Sequence, residues 1–454
     1  MSAAVWPDAR ASRPRQVPTG LKPGARPTFV ADRTSVTSVT AATARTIRVG
    51  IVGLGQVGQA VARLAPEAER LKSSGLRFRI LGALVQDIER IRRCPKPSRL
   101  TTNPAAFLRG NYDVVIEALG VVEPARTIVA RLLGRGVPVV SANKALIAAH
   151  GAELAALAAR RGTSLRYEAS ALAGVPFLGA LASRPLVSDV QRFAAVVNGT
   201  SNFILSKLDS ERCSFDEALS AAQALGLTEP DPSRDLDGLD AADKVSLLAS
   251  LFGWGPVASQ AVDVQGIRDI TPQDLAVAHT LGATIKPLVW ASRRESALEA
   301  FIGPTLVPAR HPLGALSGTL SGIQFSGRYI SDLFFSGPGA GPEITAATIL
   351  DDAVEAVSSA PRFARAAWKT AEPLPLTAPA TGWFVRARFP GLVPDASAAR
   401  DAFNSHGLDV KHVTESVHDA RWLVLGETTR DQVTQALAVL RDTHRLQCVA
   451  IRAI

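Results

Sequence analysis

Cysteine is scarce in this chain: Cys94, Cys213 and Cys448 are the only three, far apart and in no metal-ligand spacing. That scarcity excludes a disulfide framework and a cysteine zinc site, and it suits a reducing, cytoplasmic setting. Long apolar runs are also missing. None reaches the roughly 18 residues that a membrane-spanning helix needs, so no membrane partner is expected. The first residues lack the apolar stretch of a secretory signal, and no internal repeat is visible. Acidic residues are outnumbered, which gives a formal net charge of +9. Residues 1–46 carry seven basic residues against Asp8 and Asp32, so five of those nine charges sit in this leader. The leader is rich in Pro, Ser, Thr and Ala, has no hydrophobic periodicity and reads as a disordered basic extension. The rest of the chain is nearly balanced, which argues against a nucleic-acid partner.

What is present is the composition of an ordinary globular protein, 47% hydrophobic and 20% charged over 454 residues. That length suits about two to four domains. Residues 47–52 form an apolar strand that runs directly into Gly53-x-Gly55-x-x-Gly58 and then into a helical pattern. Gly53 permits the tight turn, Gly55 lets the backbone approach phosphates, and Gly58 allows close helix–strand packing. A dinucleotide pyrophosphate can lie on the helix N-terminus there.

From Ile47 strand and helix patterns alternate. Strands are expected near 47–52, 78–85, 113–117, 137–141 and 164–169, with helices near 56–72, 123–135 and 146–161. The alternation implies an α/β fold with a doubly wound parallel sheet, spanning residues 47–169. The strand ends at Glu117–Gly120 and at Ser141–Lys144 would meet a cofactor along the carboxyl edge of that sheet. Residues 170–342 change to mixed strand and helix patterns and read as an α+β domain. A glycine-rich turn at Gly337–Gly341 leads into a helix near 343–358, which is expected to return to the first domain. Residues 361–382, rich in Ala and Pro, read as a linker. Residues 383–454 show a βαββαβ order and suggest a separate ferredoxin-like module.

The second informative region is Leu225–Lys244, where Glu229, Asp231, Asp235, Asp237, Asp240 and Asp243 crowd into fifteen residues. Asp240 and Lys244 stand four apart at the start of a helix and share one face. Alone, such a pair reads as a surface ion pair of small worth. An acidic loop with prolines, however, orders best around something cationic, such as a substrate amine. A lysine beside carboxylates can also donate and accept a proton at a carbonyl/alcohol pair. Lys144 offers a second cation at the cofactor edge. Glu168 ends a strand before a small-residue loop, where a carboxylate and free carbonyls could seat a monovalent cation.

These residues resemble the homoserine dehydrogenase family. The likeness rests on Gly53–Gly58, Ser141–Leu146, Tyr167–Ser170 with Gly174–Pro176, Asn198–Leu205, Leu225–Lys244, and His311–Leu313 followed by Gly337–Gly341 and Thr345–Ala346. The segments occur in family order over roughly residues 47–358. The resemblance implies reversible NAD(P)H-dependent reduction of L-aspartate 4-semialdehyde to L-homoserine. It implies that Lys244 is the acid/base lysine, Asp240 the carboxylate on the substrate hydroxyl or a bridging water, Glu229 the carboxylate on the substrate amine, and Lys144 a lysine between cofactor and substrate that can serve as a second proton-transfer group. Cofactor contacts are implied at Gly53, Gly55, Gln56, Val57, Gly58, Lys144, Gly226 and Gly341. Glu168 with the carbonyls of Ala171, Ala173 and Val175 matches the family's sodium or potassium loop. The C-terminal module resembles an ACT domain, which implies threonine as an effector, and the family suggests a homodimer or a dimer-based homotetramer.

Two departures stand out. After the second strand Gln86 and Asp87 stand where many relatives place an arginine for a 2′-phosphate, yet Arg90, Arg92 and Arg93 follow closely, so NAD and NADP both remain open. The ACT ligand turn appears as Arg388–Asp395, which keeps a Pro-Gly pair but not the usual acidic-basic pair. Two other classes compete. An aspartate semialdehyde dehydrogenase needs a reactive cysteine beside a base, and none of the three cysteines fits. A nucleotide-bound amino-acid sensor would need no catalytic pair, and the Asp240/Lys244 pair argues against it.

Overall fold

Buried β-branched residues build the first sheet. In the computed structural model, which describes residues 44–182, 189–228, 231–255, 257–295, 297–358 and 375–454, strand β1 (Arg45–Val52) has Ile47, Val49, Ile51 and Val52 fully buried. The proposed basic extension up to residue 43, Glu229 and residues 361–374 of the proposed linker lie outside the described residues. Then follow α1 (Gln56–Leu64), α2 (Glu69–Ser73), β2 (Leu76–Leu84), β3 (Arg99–Thr101), α3 (Pro104–Leu108), β4 (Val114–Glu117), α4 (Ala125–Gly134), β5 (Val139–Ser141), α5 (Lys144–Arg160) and β6 (Leu165–Arg166). The strands pair in parallel in the order β3-β2-β1-β4-β5-β6. The order reverses between β1 and β4, the switch point where ligands bind in open α/β sheets.

Two expectations are corrected here. The single helix expected near 56–72 is broken into α1 and α2, because Pro66 has no N–H for the helical ladder. The strand expected near 164–169 ends at Arg166, and Glu168 sits in a 3₁₀ turn, Glu168–Ser170, rather than at a strand end.

The middle of the chain contains α6 (Leu178–Ala182), β7 (Val190–Val196), α7 (Gly199–Glu211), α8 (Phe215–Ala224), α9 (Ser233–Leu236), α10 (Leu239–Leu251), β8 (Asp263–Val264), α11 (Pro272–Thr280), β9 (Ala283–Arg293), β10 (Leu298–Pro308), β11 (Leu320–Gly327) and β12 (Ile330–Pro338). Helix α12 (Pro342–Ser358) then carries the chain back to the first sheet. Its Ala346, Ile349, Leu350 and Ala353 join the core formed by β1 and α1, and Glu343 pairs with Arg63 at 2.8 Å.

The C-terminal stretch comprises β13 (Leu376–Thr377), β14 (Thr381–Arg388), α13 (Ala396–Asn404), β15 (Val410–Val413), β16 (Ala420–Thr428), α14 (Arg430–His444) and β17 (Gln447–Ala453). From β14 onward the expected βαββαβ order is present. Its separateness is not. The second sheet runs β12-β11-β7-β9-β10-β17-β14-β16-β15, because β17 pairs in parallel with β10 at Thr305–Arg452 and Leu306–Ala453. Joining the two strands removes an open edge from each, which would otherwise expose unpaired backbone groups. Strands β13 and β14 also occupy part of the stretch expected to be linker.

Candidate functional site

The glycine turn after β1 has the geometry of a phosphate cradle. Gly53 has φ +95°, and a Cβ there would lie 2.6 Å from the Ala118 carbonyl oxygen. A Cβ on Gly58 would come within 2.0 Å of the Gly53 carbonyl oxygen, whereas one on Gly55 would meet nothing within 4 Å. Gly53 and Gly58 are therefore required by close packing, and Gly55 faces open space. The first bond of α1 runs from the Gln59 N–H to the Gly55 carbonyl, so the preceding N–H groups of Gln56, Val57 and Gly58 are the ones a helix leaves for an anion. These residues fit a dinucleotide pyrophosphate. The loop after β2 docks here through the Gln59 side chain, which accepts from the Arg93 N–H at 2.7 Å. Within that loop Asp87 accepts from the Glu89 N–H, and Arg92 folds back onto the carbonyls of Asp87 and Arg90.

The second half of the site is assembled from three helix N-termini. Helix α5 begins immediately after β5, with Asn143 as its cap accepting from the Leu146 N–H at 3.0 Å and Lys144 as its first residue. Helix α7 follows β7, with Asn198 as its cap accepting from the Ser201 N–H at 2.8 Å. Helix α10 starts after Gly238, whose φ of +80° opens the turn, and carries Asp240 in its first turn and Lys244 one turn later. The three converge on one carboxylate. Lys144 Nζ lies 2.5 Å from Asp240 Oδ1, and Lys244 Nζ lies 3.1 Å from Asp240 Oδ2. Lys244 also donates to the Val197 carbonyl at 2.5 Å. Asn198 Nδ2 donates to Asp235 at 2.7 Å and to Asp240 at 3.2 Å. A carboxylate in the first turn of a helix is favoured by the helix dipole as well as by its cationic partners.

The electrostatics follow from this arrangement. Burial pushes the Asp240 carboxyl up, but the Lys244 and Lys144 ammoniums outweigh it and hold the group well below the ordinary carboxylate range. Asp235 goes the other way: burial raises it, the Asn198 amide opposes the rise, and the Asp240 charge adds to it. The remaining described acids of the run face outward. Asp231 caps its own turn through the Ser233 N–H, Asp237 pairs with Arg268 and Asp243 with Arg234. A lysine-flanked carboxylate can hold a proton donor at a fixed point beside the cofactor edge.

The loop after β6 is tightly held. Glu168 is buried and accepts from the N–H groups of Leu178 and Gly179 at 2.8 and 2.6 Å, at the head of α6. The Ala173 carbonyl accepts from the Thr348 hydroxyl and the Val175 carbonyl from the Phe177 N–H. Ala171 closes the 3₁₀ turn with its N–H on the Glu168 carbonyl. A carboxylate and backbone carbonyls are the oxygen donors that hard ions prefer. Among the described residues no group of three or more His, Cys, Asp or Glu could hold a metal. Gly341 (φ +129°) opens α12, and the turn before it presses on the same loop: a Cβ on Gly337 would lie 2.2 Å from the Gly174 carbonyl oxygen. Gly226 lies in the exposed turn after α8 with φ +68°, a conformation that accounts for glycine without a ligand.

Four residues of the site had no role assigned from sequence: Asn198, Asp235, Asn143 and Glu117. The two asparagines carry a readable signal, since an Asn directly after a strand, three residues before the N–H it caps, marks a helix start. Glu117, at the end of the apolar strand β4, has no exposed surface.

Comparison with known proteins identifies the family. The family model "Homoserine dehydrogenase, NAD binding domain" matches residues 53–168, and the model "Homoserine dehydrogenase" matches residues 176–354. The homoserine dehydrogenase of Synechocystis sp. is 37% identical over 266 residues, 58% of this chain and 61% of that protein. The chain thus spans somewhat less than two thirds of the length of this curated relative. The crystal structure of a homoserine dehydrogenase from Thiobacillus denitrificans is 28% identical with a TM-score of 0.77, covering 90% of this chain and 98% of that one. A putative homoserine dehydrogenase from Archaeoglobus fulgidus is 31% identical with a TM-score of 0.58, covering 68% of this chain and 98% of that one. With two models of one family matched over more than half its length, the chain belongs to the homoserine dehydrogenase family.

Proposed function

We propose that the protein is an NAD(P)H-dependent homoserine dehydrogenase, which reduces L-aspartate 4-semialdehyde to L-homoserine reversibly. The observation that carries this reading is the Asp240 carboxylate between Lys144 and Lys244, with Lys144 opening α5 directly after a strand of the cofactor sheet. The nicotinamide, when bound, supplies the hydride in one direction and accepts it in the other. The N–H groups of Gln56, Val57 and Gly58 hold the pyrophosphate, with Gly53 and Gly55 shaping its seat and Gly341 closing over it.

Reduction of an aldehyde places negative charge on the carbonyl oxygen. The Lys244 ammonium stabilises that charge and delivers its proton to the oxygen, leaving a neutral amine and the alcohol. Asp240 and the Val197 carbonyl hold Lys244 Nζ on two sides, which fixes the donor's position before substrate arrives. In the reverse direction the neutral Lys244 amine accepts the hydroxyl proton. Asp240 orients the substrate hydroxyl, Lys144 bridges the cofactor and substrate sides, and Glu229 meets the substrate ammonium. Glu168 with the carbonyls of Ala171, Ala173 and Val175 seats a sodium or potassium ion. The C-terminal βαββαβ unit serves as an ACT-like module with threonine as its effector, and a millimolar threonine titration that leaves turnover flat removes that role.

The test is oxidation of NAD(P)H with L-aspartate 4-semialdehyde, with and without inorganic phosphate. Turnover independent of phosphate is expected. Phosphate-dependent reduction of NAD(P)+ by the same aldehyde, run in parallel, would instead indicate acyl chemistry, and no turnover in either direction would indicate a nucleotide-bound sensor.

A further inference from the structure

Glu117 is a buried carboxylate that the mechanism leaves unused. It ends β4 at the carboxyl edge of the cofactor sheet, and three donors surround it. Its Oε1 accepts from the Leu119 N–H at 2.8 Å and from Asn143 Nδ2 at 3.2 Å, and its Oε2 accepts from the Ser141 hydroxyl at 2.6 Å. Burial pushes this carboxyl up while the three donors oppose the rise. A carboxylate without surface exposure is costly unless its hydrogen bonds are complete.

The bonds lead to Lys144. The Asn143 N–H donates to the Ser141 hydroxyl oxygen at 3.1 Å, the Asn143 amide donates also to the Val121 carbonyl at 2.7 Å, and its Oδ1 caps α5 at the Leu146 N–H. Both amide hydrogens of Asn143 are therefore spoken for, one by Glu117 and one by the loop after β4. That loop is also tied to the glycine turn, because the Ala118 N–H donates to the Val52 carbonyl and the Ala118 carbonyl oxygen is what a side chain at Gly53 would strike. One carboxylate thus links the end of β4, the end of β5 and the cap of the helix whose first residue reaches Asp240.

We propose that Glu117 is a positioning residue: through Ser141 and Asn143 it fixes the start of α5, and so holds the Lys144 ammonium against Asp240 at the cofactor edge. This rests on the function proposed above, because the position matters only if Lys144 lies beside reacting groups. Glu117 itself touches neither Lys144 nor the substrate in this scheme. A purely structural carboxylate would alter stability alone, whereas a positioning one alters the Lys144–Asp240 pair in a protein that remains folded.

Three variants test it: Glu117→Gln, Glu117→Ala and Asn143→Ser. Glu117→Gln keeps an acceptor for Leu119 and Asn143 and can donate to the Ser141 hydroxyl, so it is expected to keep kcat within about threefold of wild type. Asn143→Ser keeps a helix cap but loses both amide donors, and it serves if Glu117→Ala does not fold. In Asn143→Ser and Glu117→Ala, kcat with aspartate semialdehyde is expected to fall about ten- to a hundredfold, with KM much less changed. The second readout needs no turnover. Competitive labelling of lysine amines, read by mass spectrometry with exposed Lys96 as internal reference, is expected to modify Lys144 about fivefold faster once its ion pair is loosened. Unchanged Lys144 labelling in folded variants overturns the proposal, whether or not kcat falls. If the wild type turns over no aspartate semialdehyde, the functional reading fails while the labelling still decides the positioning role.

Discussion

Two carboxylates in this chain each sit between two cations, and the cations differ. Asp240 lies between Lys144 and Lys244 where three helix N-termini meet, while Asp263 on β8 lies between Arg430 and Arg452 at the seam with the C-terminal strands. Arg452 is buried and sandwiched between the rings of Phe301 and Trp383, at 4.5 and 4.7 Å from their centroids. It also donates to Thr381 and to the Pro379 carbonyl. Burial, with the neighbouring Arg430 charge, lowers it only to about 10, so it stays charged at neutral pH. A third arginine, Arg386, is held in the same seam by Asp274, Thr271 and the Asp269 carbonyl, and Trp422 shares Asp274.

The difference between the two places is one of chemistry. A guanidinium is planar, does not give up its proton, and stacks on aromatic rings, so it fastens elements together. An ammonium is a compact charge on a mobile stem, and its proton can be transferred. The arginine cluster joins strands of the second sheet, whereas the lysine cluster begins at the carboxyl end of β5 in the cofactor sheet. Similar charge arithmetic thus suits attachment in one region and, on the function proposed here, proton transfer in the other.

Exchanging the cations should affect the two regions in opposite ways. Lys244→Arg keeps the charge beside Asp240 but removes a transferable proton, and steady-state turnover is expected to fall about a hundredfold while the urea midpoint barely moves. A variant with normal turnover would make the lysine's proton irrelevant. Arg452→Met should do the reverse. Losing one partner of a buried cluster costs about 3 kcal/mol, read as a lower urea midpoint, with turnover per folded molecule at the wild-type level.

The smallest expected effect concerns acid. The Asp240 carboxyl is held below its ordinary value, near 3.9 in an unfolded chain, so its contribution to stability is complete above that value and declines as pH falls toward the folded value. Asp240→Asn removes the contribution, which is on the order of 1 kcal/mol for a partly exposed pair. Urea titrations of both proteins at pH 6 and at pH 3.5 should show the stability gap narrowing at the lower pH. A gap that widens would contradict the depressed carboxyl.

Much of this was legible in the sequence, and the limits have physical causes. The glycine turn, the alternation through β6 and the Asp240–Lys244 spacing are local patterns, and local geometry decides them. The three-helix convergence on Asp240 is not local. Lys144 and Asn198 reach that carboxylate from elements 96 and 42 residues away in sequence, which no spacing rule encodes. Glu117 was unreadable for a similar reason: its partners Ser141 and Asn143 belong to the next strand of the sheet. The fusion of β17 to β10 escaped because a βαββαβ order specifies its own pairings but not which outside edge its last strand will cover. The break at Pro66, by contrast, is local: a proline inside a helical pattern interrupts the ladder.

On the function proposed here, a lysine held by Asp240 supplies the proton of a carbonyl reduction. The most direct test is the rate of NADPH oxidation with L-aspartate 4-semialdehyde in the wild type and in Lys244→Ala, side by side and with folding checked by circular dichroism. The account predicts turnover in the wild type and a loss of at least about a hundredfold in the variant. Near-normal turnover in folded Lys244→Ala would contradict it.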